Sequence, residues 1–191
     1  MIESIYAIVD AEHAERPLEL AFQVLNAGCA IVQLRSKRLD DAPLLEIASR
    51  VRAACAHAGV PFVMNDRADI AKLVGADGLH LGQDDLSIEE ARRVVGKMQI
   101  GVSTHSLEQA VAAQAQGADL IAFGPVFPTT TKDNPDPTVG LVQLKTVCAS
   151  VSRPVVAIGG ISPQNAGKTL QAGAAYLAVI SALPQFLAEA R

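Results

Sequence analysis

The sequence predicts an α/β protein, a (β/α)8 barrel folded as one domain over residues 1–191. Three observations predict it. Short apolar runs recur eight times, segments with helical spacing lie between them, and the apolar half of the composition is Ala, Val, Ile and Leu with only 4% aromatics. That mix suits helices laid over buried parallel strands.

The predicted strands are, in order, SIYAIVD from Ser4, CAIVQLR from Cys29, VPFVMND from Val60, DGLHLG from Asp77, MQIGVS from Met98, DLIAFG from Asp119, RPVVAIGG from Arg153 and AYLAVIS from Ala175. Their nearly continuous apolar character is that of strands covered on both faces. Between them PLELAFQVLNAG, DAPLLEIASRVRAACAHAG, DRADIAKLVGA, SIEEARRVVG, SLEQAVAAQAQGA and SPQNAGKTLQAGA place apolar residues at helical intervals. Several start with Ser, Asp or Pro and end with Gly, as capped helices do. Strand followed by helix, repeated, implies right-handed crossovers and a parallel sheet, and eight such units close into a barrel. A doubly wound open sheet would want a glycine fingerprint after its first strand, which IVDAEHAERP does not supply. Only ALPQFLAEAR remains for the last helix, so it is expected to be short, with closure there weak or completed by a partner subunit in a homodimer.

The formal charge of −4 and the lack of a basic run argue against a grip on nucleic acid backbone, so any anion must be held locally. Cys29, Cys55 and Cys148 are scattered without CxxC spacing, which argues against a disulfide framework or a cysteine metal site; reduced structural thiols in a cytoplasmic protein are expected. MIESIYAIVD lacks the features of a signal peptide. GAAYLAVISALPQFLA is short for a bilayer span and broken by Ser181, Pro184 and Gln185, so no membrane association is expected.

In such barrels the chemistry sits at the carboxyl ends of the strands. Polar residues fall there repeatedly: Gln33, Arg35 and Lys37 after the second strand, Asn65 and Asp66 after the third, Asp84 and Asp85 after the fourth, Ser103 and His105 after the fifth, Thr129, Thr131 and Lys132 after the sixth. Each has a plain structural alternative. Asn65-Asp66, Asp85 or Ser87 would serve as helix caps, Arg35 or Lys37 as solvated charges, and His105 as a cap for the helix that starts at Ser106. Convergence on one rim favours function. Asp66 and Asp85, on adjacent strands, suit a hard cation such as Mg2+ bound together with phosphate oxygens. Arg35 offers a planar fork of donors, and Lys37 and Lys132 offer compact charge, so together with the metal they would balance a pyrophosphate. Glycines in IGGISPQN and the helix start in VISALPQ mark a second anion site, the alternative being that Gly159 and Gly160 merely permit a tight turn. Gly124 and the prolines around Thr129 read as a hinged lid.

VQLRSK, NDRADIA, GADGLHLGQDD, GVSTHS, GADLIAFGPVFPTTTK, PVVAIGGI and GAAYLAVIS resemble, in order and spacing, the motifs of the thiamine phosphate synthase family, from Tyr6 to about Leu183. The resemblance implies a TIM barrel transferase that joins 4-amino-2-methyl-5-hydroxymethylpyrimidine pyrophosphate to 4-methyl-5-(2-hydroxyethyl)thiazole phosphate, releasing pyrophosphate and forming thiamine phosphate. It implies that Gln33 touches the pyrimidine, that Arg35, Lys37, Asn65 and Lys132 hold its pyrophosphate, and that Asp66 and Asp85 ligate Mg2+. Ser103 would approach the pyrimidine amino group. Thr129 and Thr131, with Gly160, Ile180 and Ser181, would bind the thiazole phosphate. The catalytic set is then Arg35, Lys37, Ser103 and Lys132. Asp133 and Asp136 are an acidic addition near the supposed pyrophosphate site. The alternatives are a thiazole tautomerase, which needs no metal-pyrophosphate centre, and a noncatalytic barrel that binds phosphorylated thiamine precursors.

Overall fold

The computed structural model describes residues 1–129 and 137–190. Eight parallel strands close on themselves in sequence order. They are β1 (Ile5–Asp10), β2 (Ile31–Arg35), β3 (Phe62–Asn65), β4 (Gly78–Leu81), β5 (Gln99–Thr104), β6 (Leu120–Phe123), β7 (Val155–Ile158) and β8 (Tyr176–Val179). The helices are α1 (Pro17–Asn26), α2 (Asp41–Ala58), α3 (Ala68–Val74), α4 (Ile88–Val95), α5 (Leu107–Ala115), α6 (Gly140–Ser150), α7 (Pro163–Gln171) and α8 (Leu183–Glu189). Every predicted strand is present; most are shortened by a residue or two, while β5 starts one residue later than expected and runs one further, to Thr104.

Strand periodicity sorts the side chains into two cores. Ile5, Ala7 and Val9, Val32 and Leu34, Phe62 and Met64, Ile100 and Val102 join the layer shared with the helices. Tyr6, Ile8, Ile31, Ala122, Val156 and Ala178 fill the barrel lumen, with Val63, Leu120 and Tyr176 beside them. Burial holds the Tyr6 hydroxyl protonated well above its usual range.

Closure takes place within the chain. β8 pairs with β1 through Ile5 and Leu177, Tyr6 and Ala178, Ala7 and Val179. α8 is short, as expected, yet it buries Leu183 and Phe186. The expected weakness at this seam is therefore not seen in the strand pairing. The apolar C-terminal stretch is β8, a turn and α8, and no helix among the described residues is long and apolar enough to cross a membrane.

No helix is expected from the sequence between the sixth and seventh strands, where α6 lies. It starts after Val139, which provides no side-chain cap. The signals used for the other helices are absent there, and only Leu144 and Val147 mark its buried face. α4, by contrast, starts at Ser87 with a full capping box to Glu90.

Candidate active site

The upper lumen changes character. β1 and β2 pair in a register that sets Asp10 beside Arg35, β3 and β4 set Asn65 beside His80, and β4 and β5 set His80 beside Gly101. Alternation from the apolar lumen residues then points Gln33, Asn65, His80 and Ser103 inward. Gln33 and Asn65 are buried, with Gln33 Nε2 3.4 Å from Asn65 Oδ1. His80 Nε2 lies 2.9 Å from Ser103 Oγ.

The predicted charged residues converge at the rim. Lys37 Nζ donates to Asp66 Oδ2, and Arg35 Nη1 donates to Asp10 Oδ2. Arg35 Nη1 is also 3.8 Å from Glu12. Neither cation is simply solvated. Asp66 and Asp85 are close enough to interact; burial first, then the neighbouring Asp85 carboxylate, pushes the Asp66 carboxyl upward against the pull of Lys37. Burial would raise Asp85 too, but the hydrogen bonds from Asp66 and from Gly82 N–H hold it below its ordinary value. Asp84 is exposed.

Local backbone explains the placement. Asp66 adopts φ 60°, the left-handed region that Asp tolerates better than most residues, and its N–H donates to His80 O at 2.8 Å. The cap of α3 is Arg67, so Asn65-Asp66 is not the helix cap that the sequence left open. Nor is Asp85 the cap of α4: its Oδ2 takes the Gly82 N–H at 2.7 Å, while Ser87 does the capping.

A second pocket lies across Ser103. It is lined by Ser103 and His105 from the end of β5, Thr129 from the loop after β6, Gly159 and Gly160 after β7, and Ile180 and Ser181 after β8. Thr129, Gly160, Ile180 and Ser181 are thus brought together as predicted; Thr131 and Lys132, with Asp133 and Asp136, lie outside the described residues. The glycines do more than turn. A Cβ on Gly160 would fall 2.5 Å from Pro128 O, and one on Gly159 would fall 2.5 Å from Pro125 Cβ. They let the β6 exit lie flat on the β7 exit, where Val126 N donates to Ile158 O at 2.8 Å and Phe127 N to Gly159 O at 3.0 Å.

Gly124 is held close to β7: a Cβ there would lie 2.1 Å from Ile158 O. One further expectation changes. His105 is not the cap of α5, because Ser106 Oγ takes that role toward Gln109 N. The His105 ring is 2.6 Å from Gly124 O through Nδ1, fixing it to the same loop.

Asp10, Glu12 and His80 complete the site and are not among the residues expected from the sequence. Asp10 ends an apolar run, so the rule applied to later strands, a polar residue at the strand's end, marks it and Glu12 as well.

A family model described as thiamine monophosphate synthase matches residues 5–183. The thiamine-phosphate synthase of Methanocella arvoryzae is 46% identical over 183 residues, covering 94% of this chain and 86% of that protein. The thiamine-phosphate synthase of Chloroflexus aurantiacus is 44% identical over 156 residues, covering 82% and 72%. Among solved structures, thiamine phosphate pyrophosphorylase from Pyrococcus furiosus superposes with a TM-score of 0.87 at 31% identity, covering 99% of this chain and 98% of that one.

Proposed function

The chain belongs to the thiamine monophosphate synthase family, and on that premise we propose that it joins the aminopyrimidine pyrophosphate to the thiazole phosphate, giving thiamine phosphate and pyrophosphate. The observation that carries the reading is the pairing of a charged rim with a separate small pocket across one serine, Ser103.

The rim's charge count decides what it needs. Arg35 and Lys37 meet the carboxylates of Asp10, Glu12, Asp66 and Asp85. Among the described residues, two cations face four carboxyl groups, an excess of negative charge that disfavours a pyrophosphate. A divalent cation held by Asp66 and Asp85 would offset that excess. No group of three or more His, Cys, Asp or Glu among the described residues is placed to hold a metal alone. The other ligands would be substrate oxygens and water, the usual habit of Mg2+. When bound, Mg2+ neutralises charge on the departing pyrophosphate.

The chain's own groups position and stabilise. Arg35, Lys37 and Asn65 hold the pyrophosphate, with Lys132 assigned to the same task from outside the described residues. Gln33 and Ser103 face the pyrimidine. Thr129, Gly160, Ile180 and Ser181 receive the thiazole phosphate, with Thr131 assigned beside them. The bond from the pyrimidine methylene carbon to the pyrophosphate oxygen breaks, and its electron pair leaves with the pyrophosphate. The aminopyrimidine spreads the resulting positive charge, and the thiazole nitrogen lone pair forms the new carbon–nitrogen bond. No proton has to be removed, so the site needs no general base; its contribution is orientation and charge stabilisation.

The test follows pyrophosphate release from both substrates with and without chelator. Release that chelator abolishes is expected. Release indifferent to chelator removes the metal from the reading, and binding of both substrates without release leaves only a binding barrel.

A further inference from the structure

Two acids stand beside the cations assigned to pyrophosphate, where simple electrostatics disfavours them. Asp10 ends β1 with its side chain fully buried, at 0% exposure. Its Oδ2 accepts from Arg35 Nη1; its Oδ1 accepts from Glu12 N at 2.9 Å and lies 3.1 Å from His13 Nδ1. With both oxygens engaged, the carboxylate cannot rotate. The contacts that Arg35 makes among the described residues use Nη1, which leaves the Nε and Nη2 edge of the guanidinium for an incoming phosphate.

Glu12 acts on the other cation through the main chain. Its Oε1 accepts from Ser36 Oγ at 2.7 Å, Lys37 N at 3.0 Å and Arg38 N at 3.2 Å, and its Oε2 from Lys37 N at 3.1 Å. It closes the turn after β2 and fixes the base of the Lys37 side chain. Neither acid anchors the apolar core. Both reach across 24 to 26 residues of sequence to hold β2 and its exit.

We propose that Asp10 and Glu12 are positioning residues for pyrophosphate binding: Asp10 presets the Arg35 fork, and Glu12 presets the Lys37 backbone. This rests on the pyrophosphate reading given above. The geometric role and the electrostatic one have opposite signs. Removing a nearby negative charge without changing shape strengthens anion binding if charge alone matters; it weakens binding if the carboxylate aims the cation.

The experiment is titration calorimetry of the whole chain with inorganic pyrophosphate and Mg2+, and separately with thiazole phosphate. Asp10→Asn is expected to weaken pyrophosphate binding by about tenfold or more, with thiazole phosphate affinity held within about twofold. Glu12→Ala is expected to weaken pyrophosphate in the same direction, and Glu12→Gln, which keeps an acceptor for the Lys37 and Arg38 amides, to recover most of it. Pyrophosphate affinity unchanged or improved in Asp10→Asn and Glu12→Ala overturns the proposal, as does equal weakening of both ligands. If Asp10→Asn does not fold, the Glu12 pair decides. A parent protein that ignores pyrophosphate removes the function reading itself; a parent that binds it while the variants bind equally well removes only this inference.

Discussion

The imidazole of His80 reaches Ser103, Nε2 to Oγ, at 2.9 Å from the neighbouring strand. Gly101 makes room for that ring, since a Cβ there would come within 3.0 Å of His80 Nδ1. Ser103→Ala is expected to lower kcat by about tenfold or more, the range for an oriented polar contact. His80→Asn is expected to act through the same serine, so the double variant should be no worse than the poorer single one. Steady-state kinetics on the cycle checks this; losses that multiply mean that the two side chains act independently.

Asp66 carries a backbone constraint as well as a carboxylate. Its φ of 60° is poorly tolerated by alanine and better by asparagine. Asp66→Asn should therefore fold with near-parental stability and lose turnover, whereas Asp66→Ala should lose turnover and about a further 1 kcal/mol of stability. Urea titration read beside kcat separates the two contributions.

At the opposite end of the barrel Arg92 gathers three segments. Its Nη2 donates to Asp119 Oδ2 at 2.6 Å, its Nη1 donates to Met98 O and to Gly96 O, and Asp119 Oδ2 also accepts from Ile100 N at 2.9 Å. Arg52 and Asp77 repeat the pattern, with Asp77 Oδ2 accepting from Phe62 N at 2.8 Å. Arg92→Ala should cost about 1–3 kcal/mol. Thermal unfolding measures it, and kcat should stay at the parental value because the residue is remote from the rim.

The buried thiols predict an alkaline weakness. Burial pushes Cys29 up to about 11 and Cys55 up to about 12, while the unfolded chain releases such protons near pH 8.5. Between those limits the folded state binds more protons than the unfolded state, so stability falls as pH rises. The contribution is complete below about pH 8.5 and is lost as pH climbs toward 11 and 12. Cys55→Ala should flatten the decline in urea midpoint from pH 8.5 upward, relative to its own value at pH 7; an unchanged slope rejects the assignment.

Much of this molecule is legible without coordinates because its local signals agree. The apolar runs, the capping box at Ser87 and the glycines that end α2, α3 and α4 all divide the chain where the structure does. α6 was hidden because Val139 offers no cap. The rim residues Lys37, Asp66 and Asp85 were legible since each lies within a few residues of the carboxyl end of its strand. Which acid neutralises Arg35 was not: Asp10 is its neighbour only through the β1–β2 register, a relation between residues 25 positions apart. The same holds for Gly159 and Gly160, whose need is set by Pro125, Phe127 and Pro128 on another loop.

The backbone ties from Val126 to Ile158 and from Phe127 to Gly159 make two exits a single transplantable part. A graft that exchanges residues 124–129 alone would seat foreign side chains on glycines tailored to the old ones. Anyone reshaping this barrel for a different phosphorylated heterocycle should move both segments together.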